Sequence, residues 1–178
     1  MSEKGSDDSK TKPRPQFEIY RKRDARDYAE HKCMSLDDVT PVIAEGLSCY
    51  GKADHGGAVV KMLYDRPGFS LTHVWFKSGY PLALHSHNSD CLYYIISGTV
   101  RMGTEELGPG DGFFVGEDVP YTYTPGPEGV EVLEFRDTDD FNIEFMTKTA
   151  KAWARIAERV QDRQSAWADE VPPTELAR

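Results

Sequence analysis

The sequence predicts an all-β domain of the sandwich or barrel class, and two observations support this prediction. Short runs rich in β-branched and aromatic residues follow one another between residues 56 and 145, and turns containing Gly or Pro separate them. At 178 residues with 39% hydrophobic residues, the chain is long enough to bury one core but not two. The predicted strands are residues 58–64, 70–76, 92–96, 112–115, 121–124 and 130–135.

The segments on either side of the predicted barrel differ from it in composition. Residues 1–15 have no large apolar residue after Met1, which predicts a disordered tail. We assign residues 16–146 to a barrel domain with an N-terminal extension, in which Thr40 before Pro41 predicts a helix start. Residues 147–178 form a predicted C-terminal helix and tail.

The C-terminal helix carries an apolar stripe at helical spacing. Two interpretations remain open. The stripe packs on the outside of the barrel, or it builds a subunit interface or covers an open barrel end. Its members are Trp153, Ile156, Val160 and Trp167.

The net charge of the chain restricts its partners, and its cysteine content indicates its compartment. The formal net charge of −9 argues against a nucleic acid or an anionic membrane, because both require clustered positive charge. Residues 1–15 are too polar for a signal peptide, and no apolar run approaches the length of a membrane span. The odd number of cysteines (three) suits a reducing compartment, so we expect a cytoplasmic protein.

Two histidines two residues apart, His85 and His87, are the most informative local feature. Side chains alternate across a strand, so both imidazoles face the same side. Cys91 and Tyr93 share that side if the short turn at residues 88–90, between His87 and Cys91, keeps the register. A His-x-His pair with a third donor nearby is typical of a metal site on the inner wall of a β-barrel.

The spacing of these residues resembles the first motif of the cupin family, Gly-x5-His-x-His-x3-Glu-x6-Gly. Gly79, His85, His87 and Gly98 match it, and Cys91 stands at the glutamate position. A weaker second motif begins at Gly110, and there Tyr121 occupies the position of a metal-binding histidine. The resemblance implies a double-stranded β-helix (jelly-roll barrel) over about residues 56–145, and a homodimer, since cupins commonly dimerise.

By this resemblance the metal set reads His85, His87, Cys91 and Tyr121. Imidazoles suit zinc, copper, iron, nickel or manganese, and a thiolate at Cys91 favours zinc or copper. Other interpretations stay open: the histidines form a metal-free polar pair, Cys91 is a small buried hydrophobe, and Tyr121 is an acid or hydrogen-bond donor rather than a ligand. His73 is either another ligand that points into the barrel, or a core or surface histidine whose hydrogen bonds are satisfied by the protein.

Three function classes follow. The first is a metal enzyme that acts on a small, aromatic or carbonyl-containing molecule in the barrel, with Tyr121 acting on the substrate and Tyr93 and Tyr123 beside it. The second is a metal-free isomerase, cyclase or lyase with a histidine base and a tyrosine acid. The third is a non-catalytic small-molecule binding protein. We favour an enzyme. Thiol dioxygenases, which are also cupins, carry a cysteine near this glutamate position, but the spacing here is one residue shorter.

Overall fold

The computed structural model of the chain describes residues 16–52 and 56–176. A short 3-10 turn (Lys22–Asp24) precedes the first strand. The helices are α1 (Tyr28–His31), α2 (Pro41–Lys52), α3 (Ala150–Trp167) and α4 (Pro173–Leu176). The strands are β1 (Arg26–Asp27), β2 (Met34–Asp37), β3 (Ala58–Arg66), β4 (Phe69–Phe76), β5 (His85–Ser86), β6 (Cys91–Met102), β7 (Glu105–Leu107), β8 (Gly112–Val115), β9 (Thr124–Arg136) and β10 (Phe141–Phe145).

These strands form a jelly-roll barrel from two sheets. The larger sheet has the order β1-β3-β4-β9-β6-β7, with β8 also paired to β6, and the smaller has the order β2-β10-β5. Side chains of β6 alternate between buried and exposed from Cys91 to Ile95, so one face of the sheet points into the barrel and the other outward. The all-β prediction and the C-terminal helix are confirmed. The predicted tail at residues 1–15 lies outside the described residues, and the domain division stays a prediction.

One predicted strand, residues 121–124, is wrong. Tyr121 forms only an isolated antiparallel bridge with His85, and Thr124 is already the first residue of β9. The segment before it turns at Asp118, which has a positive φ of 59°, and continues through Pro120, which has no backbone N–H for a strand ladder. The turn brings Tyr121 next to His85 instead of extending a strand.

Helix α3 packs on the barrel of its own chain. Thr149 caps its N-terminus by accepting a hydrogen bond from the Ala152 backbone N–H, and Trp153, Val160 and Trp167 are buried. The indole N–H of Trp167 donates to the Ser78 carbonyl at 2.9 Å. A side chain at Gly46 of α2 would overlap the Trp153 ring, so this glycine allows α2 and α3 to approach closely. The apolar stripe is therefore used within the chain and is not available as a subunit interface.

The outward face of the larger sheet is partly covered by the two chain ends. Glu131 is buried there and accepts hydrogen bonds from His73 Nε2 at 3.0 Å, Lys22 Nζ at 3.2 Å and the Thr174 backbone N–H at 2.9 Å. Burial raises the pKa of Glu131, but these hydrogen bonds outweigh it and lower the pKa to about 2. His73 therefore belongs to a cluster outside the barrel that holds the segments containing Lys22 and Thr174 against the sheet, and it is not an inward ligand.

The part of that outward face on β6 and β8 carries exposed apolar side chains. Leu92, Tyr94 and Phe114 expose 51%, 46% and 61% of their surfaces. Leu92 lies opposite Phe114 on β8 and opposite Phe135 on β9, so these side chains form a continuous apolar strip.

Among the helices of the described residues, none is long and apolar enough to cross a membrane.

Candidate functional site

A cavity of about 230 Å³ lies inside the barrel, between the two sheets. Most of its wall is apolar or aromatic, and its polar groups converge from several elements. Small-molecule sites commonly have this composition, and the volume suits a ligand smaller than a typical drug. The polar side chains that line it are Tyr28, Tyr50, Tyr80, His85, His87, Tyr121, Tyr123, Glu134 and Arg136.

His85 and His87 lie side by side in this wall, as the His-x-His spacing predicts. Both are buried, and their ring centroids are 5.0 Å apart. His85 Nδ1 donates to the Ala83 carbonyl at 2.7 Å, and His87 Nδ1 donates to the Asn142 carbonyl at 2.5 Å. A carbonyl oxygen only accepts, so each Nδ1 carries the proton and each Nε2 keeps a free lone pair.

Both imidazoles are held in the neutral form. Burial lowers the pKa of His85 below its ordinary value. Burial and the nearby Arg136 guanidinium lower the pKa of His87 to about 3. Within the described residues neither Nε2 has a hydrogen-bond partner, so both are available to accept a hydrogen bond from a ligand.

Tyr121 faces the same histidines. Its ring lies 4.5 Å from the His85 ring, centroid to centroid, because the backbones of the two residues exchange hydrogen bonds of 3.2 Å and 2.9 Å. Its hydroxyl forms a hydrogen bond with the Tyr93 hydroxyl. Burial raises the pKa of both phenols above the ordinary tyrosine value, so both stay protonated.

Arg136, which also lines the cavity, continues this hydrogen-bond chain beyond Tyr93. Its Nη2 donates to the Tyr93 hydroxyl at 3.4 Å, and its Nη1 donates to Glu134 Oε2 at 2.6 Å. The guanidinium also stacks on Phe141, with Cζ 4.4 Å from the ring centroid. A guanidinium only donates, so the Tyr93 oxygen accepts here and its proton is available to Tyr121.

Cys91 is buried and faces inward like Tyr93, as its strand position predicts. It is not one of the side chains that line the cavity. Burial and the Glu134 carboxylate raise the pKa of its thiol to about 12. A thiol in this setting is protonated and packs as part of the core.

The predicted metal set is therefore brought together only in part. His85 and His87 offer two neutral nitrogen donors whose other ring nitrogens bind backbone carbonyls, a common arrangement in metal sites. In the described part of the chain, however, no group of three or more His, Cys, Asp or Glu side chains is placed to hold a metal ion. Cys91 does not line the cavity and Arg136 binds the Glu134 carboxylate, so no third donor lies ready beside the two histidines in the described residues.

Tyr123 also lines the cavity, as predicted, and is buried among Phe76, Phe113 and Tyr93. Burial raises the pKa of its phenol well above the ordinary value.

Sequence reasoning missed Glu134 and Arg136. Both are charged residues on β9 at the same strand parity as the buried Val130 and Val132. That parity is the signal that places them inside the barrel. Sequence reasoning also missed the contribution of the N-terminal extension, from which Tyr28 reaches the cavity.

The comparisons with known proteins agree with this architecture. No protein-family model matches the chain, and no curated protein does. The polyketide cyclase RemF from Streptomyces resistomycificus has a similar structure over 83% of this chain and 98% of its own, with 14% sequence identity and a TM-score of 0.55. An RmlC-like cupin from Shewanella frigidimarina matches 47% of this chain and 78% of its own, with 24% identity and a TM-score of 0.42.

The chain has the cupin fold. An oxalate decarboxylase variant from Bacillus subtilis is a third similar structure, with 21% identity and a TM-score of 0.43 over 47% of this chain and 26% of its own. At these identities the likeness concerns the fold alone. The chemistry of this protein has to be argued from its own cavity.

Proposed function

We propose that this cupin is an enzyme that moves a proton on a small carbonyl-containing molecule, with His85 as the base and Tyr121 as the hydrogen-bond donor to the carbonyl oxygen. Isomerases, cyclases and lyases all use such a step. The observation that carries the proposal is the pairing of a neutral imidazole, open at Nε2, with a protonated phenol whose ring centroid lies 4.5 Å from that of the imidazole.

The direction in which the hydrogen bonds of this chain are donated supports Tyr121 as the donor to the ligand. Arg136 donates to the Tyr93 oxygen, and Tyr93 can then donate to the Tyr121 oxygen. The Tyr121 proton is left to point at a ligand in the cavity. A buried donor aimed at a developing oxyanion stabilises it strongly, because little water competes for the bond.

The step balances within the protein and its ligand. The C–H bond next to the carbonyl breaks, its proton forms a bond to His85 Nε2, and its electron pair becomes the C=C bond of an enolate. The enolate oxygen accepts a hydrogen bond from Tyr121. His85 then returns the proton to the same or another carbon, so neither an oxidant nor a reductant is needed. His87, held neutral by burial and Arg136, remains a hydrogen-bond acceptor for the ligand.

Deuterium exchange tests this proposal directly, because it reports the proton transfer whatever the final product is. We expect the chelator-treated protein in D₂O to catalyse wash-in of deuterium next to the carbonyl of small 1,3-dicarbonyl compounds and keto acids, followed by proton NMR. Saturable binding of such compounds without any exchange above the buffer rate would contradict catalysis. It would favour the third class, a non-catalytic binding protein.

A second candidate is a transition-metal site at His85 and His87, with Cys91 as the third ligand and Tyr121 at the fourth position. It is favoured by the two Nδ1–carbonyl hydrogen bonds, which leave both Nε2 atoms free as ligands. Zinc or copper is the expected ion if Cys91 takes part, and iron, nickel or manganese if it does not. The position of Cys91 outside the cavity lining makes this the weaker candidate.

Elemental analysis of freshly purified protein tests the metal candidate. If it holds, we expect close to one ion per chain, and Cys91→Ser lowers metal affinity far more than Cys49→Ser, which changes an exposed cysteine. A cobalt-substituted sample should show a thiolate charge-transfer band that Cys91→Ser abolishes. If the protein takes up no first-row ion and still exchanges deuterium, the metal candidate is excluded.

We also propose that the chain forms a two-fold dimer through the exposed strip at Leu92, Tyr94 and Phe114. An open apolar strip on a sheet face is a common self-association surface. Light scattering should give twice the 20.1 kDa chain mass, and Phe114→Lys should give the single-chain mass. Val39→Lys, at an exposed apolar residue outside the strip, is the control and should stay dimeric. A wild-type mass of one chain at micromolar concentration would contradict the dimer.

A cytoplasmic location stays a prediction. Cys33, Cys49 and Cys91 are all free thiols, which is the state that a reducing compartment maintains.

A further inference from the structure

A second cleft, separate from the barrel cavity, lies between helix α3 and the ends of β6, β7 and β9. Its volume is about 590 Å³, and none of its lining residues lines the barrel cavity. Three arginines face it from two elements: Arg101 from β6, and Arg159 and Arg163 from α3. Thr99 and Thr124 add hydroxyl groups, and Glu106 is the single acidic side chain among the described residues of its lining.

A local expansion of β9 forms one wall of this cleft. Gly98 pairs with Val130 and Val100 pairs with Pro125, so the four residues 126–129 stand opposite Thr99 alone. A Cβ at Gly126 would overlap Thr99 Oγ1, so the glycine leaves room for that hydroxyl in its present position. The expansion lifts this part of β9 out of the ladder and opens the space beside α3.

The positive charge of the cleft is largely unpaired. The chain carries 30 acidic and 21 basic residues, yet within the described residues neither Arg101 nor Arg159 has an ion-pair partner. Both arginines are exposed. Glu106 lies opposite Arg101 in the β6–β7 pairing, but one carboxylate does not balance the three guanidiniums of the cleft, so its net positive charge favours an anion.

Arg163 is held in place rather than free. Its Nη2 donates to the Ser78 carbonyl at 3.3 Å and also to the Ser78 hydroxyl. Ser78 in turn binds the Glu170 carboxylate through its backbone N–H at 2.9 Å, so Glu170 balances part of the Arg163 charge. The Nε–H of Arg163 is buried without a hydrogen-bond partner in the described structure. The guanidinium is thus oriented in advance, and these bonds leave its two Nη1 donors unused.

We propose that this cleft binds a phosphate-bearing small molecule. Arg159 and Arg163 are one helical turn apart and share a face of α3, while Arg101 reaches the same space from the sheet. Guanidinium forks match the several acceptor oxygens and the double charge of a phosphate group, and a single carboxylate satisfies only one fork. The cleft is a binding site beyond the function proposed for the barrel, and it shares no residue with it.

Calorimetric titration of the full-length protein with pyrophosphate at low ionic strength tests this site. We expect saturable binding of one pyrophosphate per chain that weakens as salt is added. The double variant Arg101→Gln/Arg159→Gln should weaken binding about tenfold or more. Both residues are exposed, so the fold and the barrel chemistry should be unchanged.

Two further variants sharpen the test. Arg155→Gln removes an exposed arginine from α3 outside the cleft and should leave the affinity unchanged. Glu106→Gln removes the acidic lining residue and should tighten binding about two- to fivefold. Absence of saturable pyrophosphate binding, or equal affinity in the double variant, would overturn the proposal. Citrate binding as tightly as pyrophosphate would overturn the preference for phosphate.

Discussion

The variant His85→Gln is expected to slow deuterium wash-in by about 100- to 10,000-fold, the usual contribution of a positioned general base. Glutamine is polar and of similar size, but it has no basic nitrogen. The Ala83 carbonyl that orients His85 is a backbone group and stays in place. The barrel should therefore keep its fold while the proton acceptor is lost.

Two companion variants separate this effect from a loss of structure. Tyr121→Phe keeps the ring beside His85 but removes the hydroxyl, and it should slow exchange by about 100- to 1,000-fold, as for other oxyanion donors. His31→Gln changes a histidine that pairs with Asp65 at 3.0 Å, away from the cavity lining, and should leave the rate within about twofold. Equal rates in wild-type protein and His85→Gln would rule out His85 as the base.

The sequence predicted the features that depend on local periodicity. The two-residue spacing of His85 and His87 placed both rings on one side, and the same period placed Cys91 and Tyr93 inward. The stripe of α3 was predicted in the same way from its helical period. Such patterns are set by the backbone geometry of a single element, so they hold whichever elements pack beside it.

Features that depend on contacts between distant segments were not predicted. Glu131 and Glu134 lie on the same strand, and both are largely or fully buried, yet one fastens the chain ends outside the barrel and the other lines the cavity. Strand parity separates the two faces, but the burial of Glu131 on the outer face depends on Lys22 and Thr174, which are far from it in the sequence. Likewise, the chemical state of Cys91 depends on the depth of burial and on Glu134, which the motif spacing does not report.

The largest effect on stability is expected from Arg136→Met. Arg136 is 3% exposed, and its guanidinium satisfies the carboxylate of Glu134 at 2.6 Å while it stacks on Phe141. Burial alone lowers the pKa of this guanidinium, but Glu134 raises it well above the ordinary value, so the pair is ionic. Methionine fills much of the space but leaves Glu134 without its partner. Removal of one member of such a pair costs about 3–5 kcal/mol, which urea unfolding would measure.

The paired variant shows whether the loss comes from the unpaired charge or from packing. Glu134→Gln/Arg136→Met removes both charges, and we expect it to be more stable than Arg136→Met by about 1–3 kcal/mol. Arg101→Met, at an exposed arginine on β6, should change the free energy of unfolding by no more than about 0.5 kcal/mol. A loss below about 1 kcal/mol in Arg136→Met would show that the Glu134 carboxylate finds water or another donor when Arg136 is gone, and that the ion pair does not hold the cavity wall together.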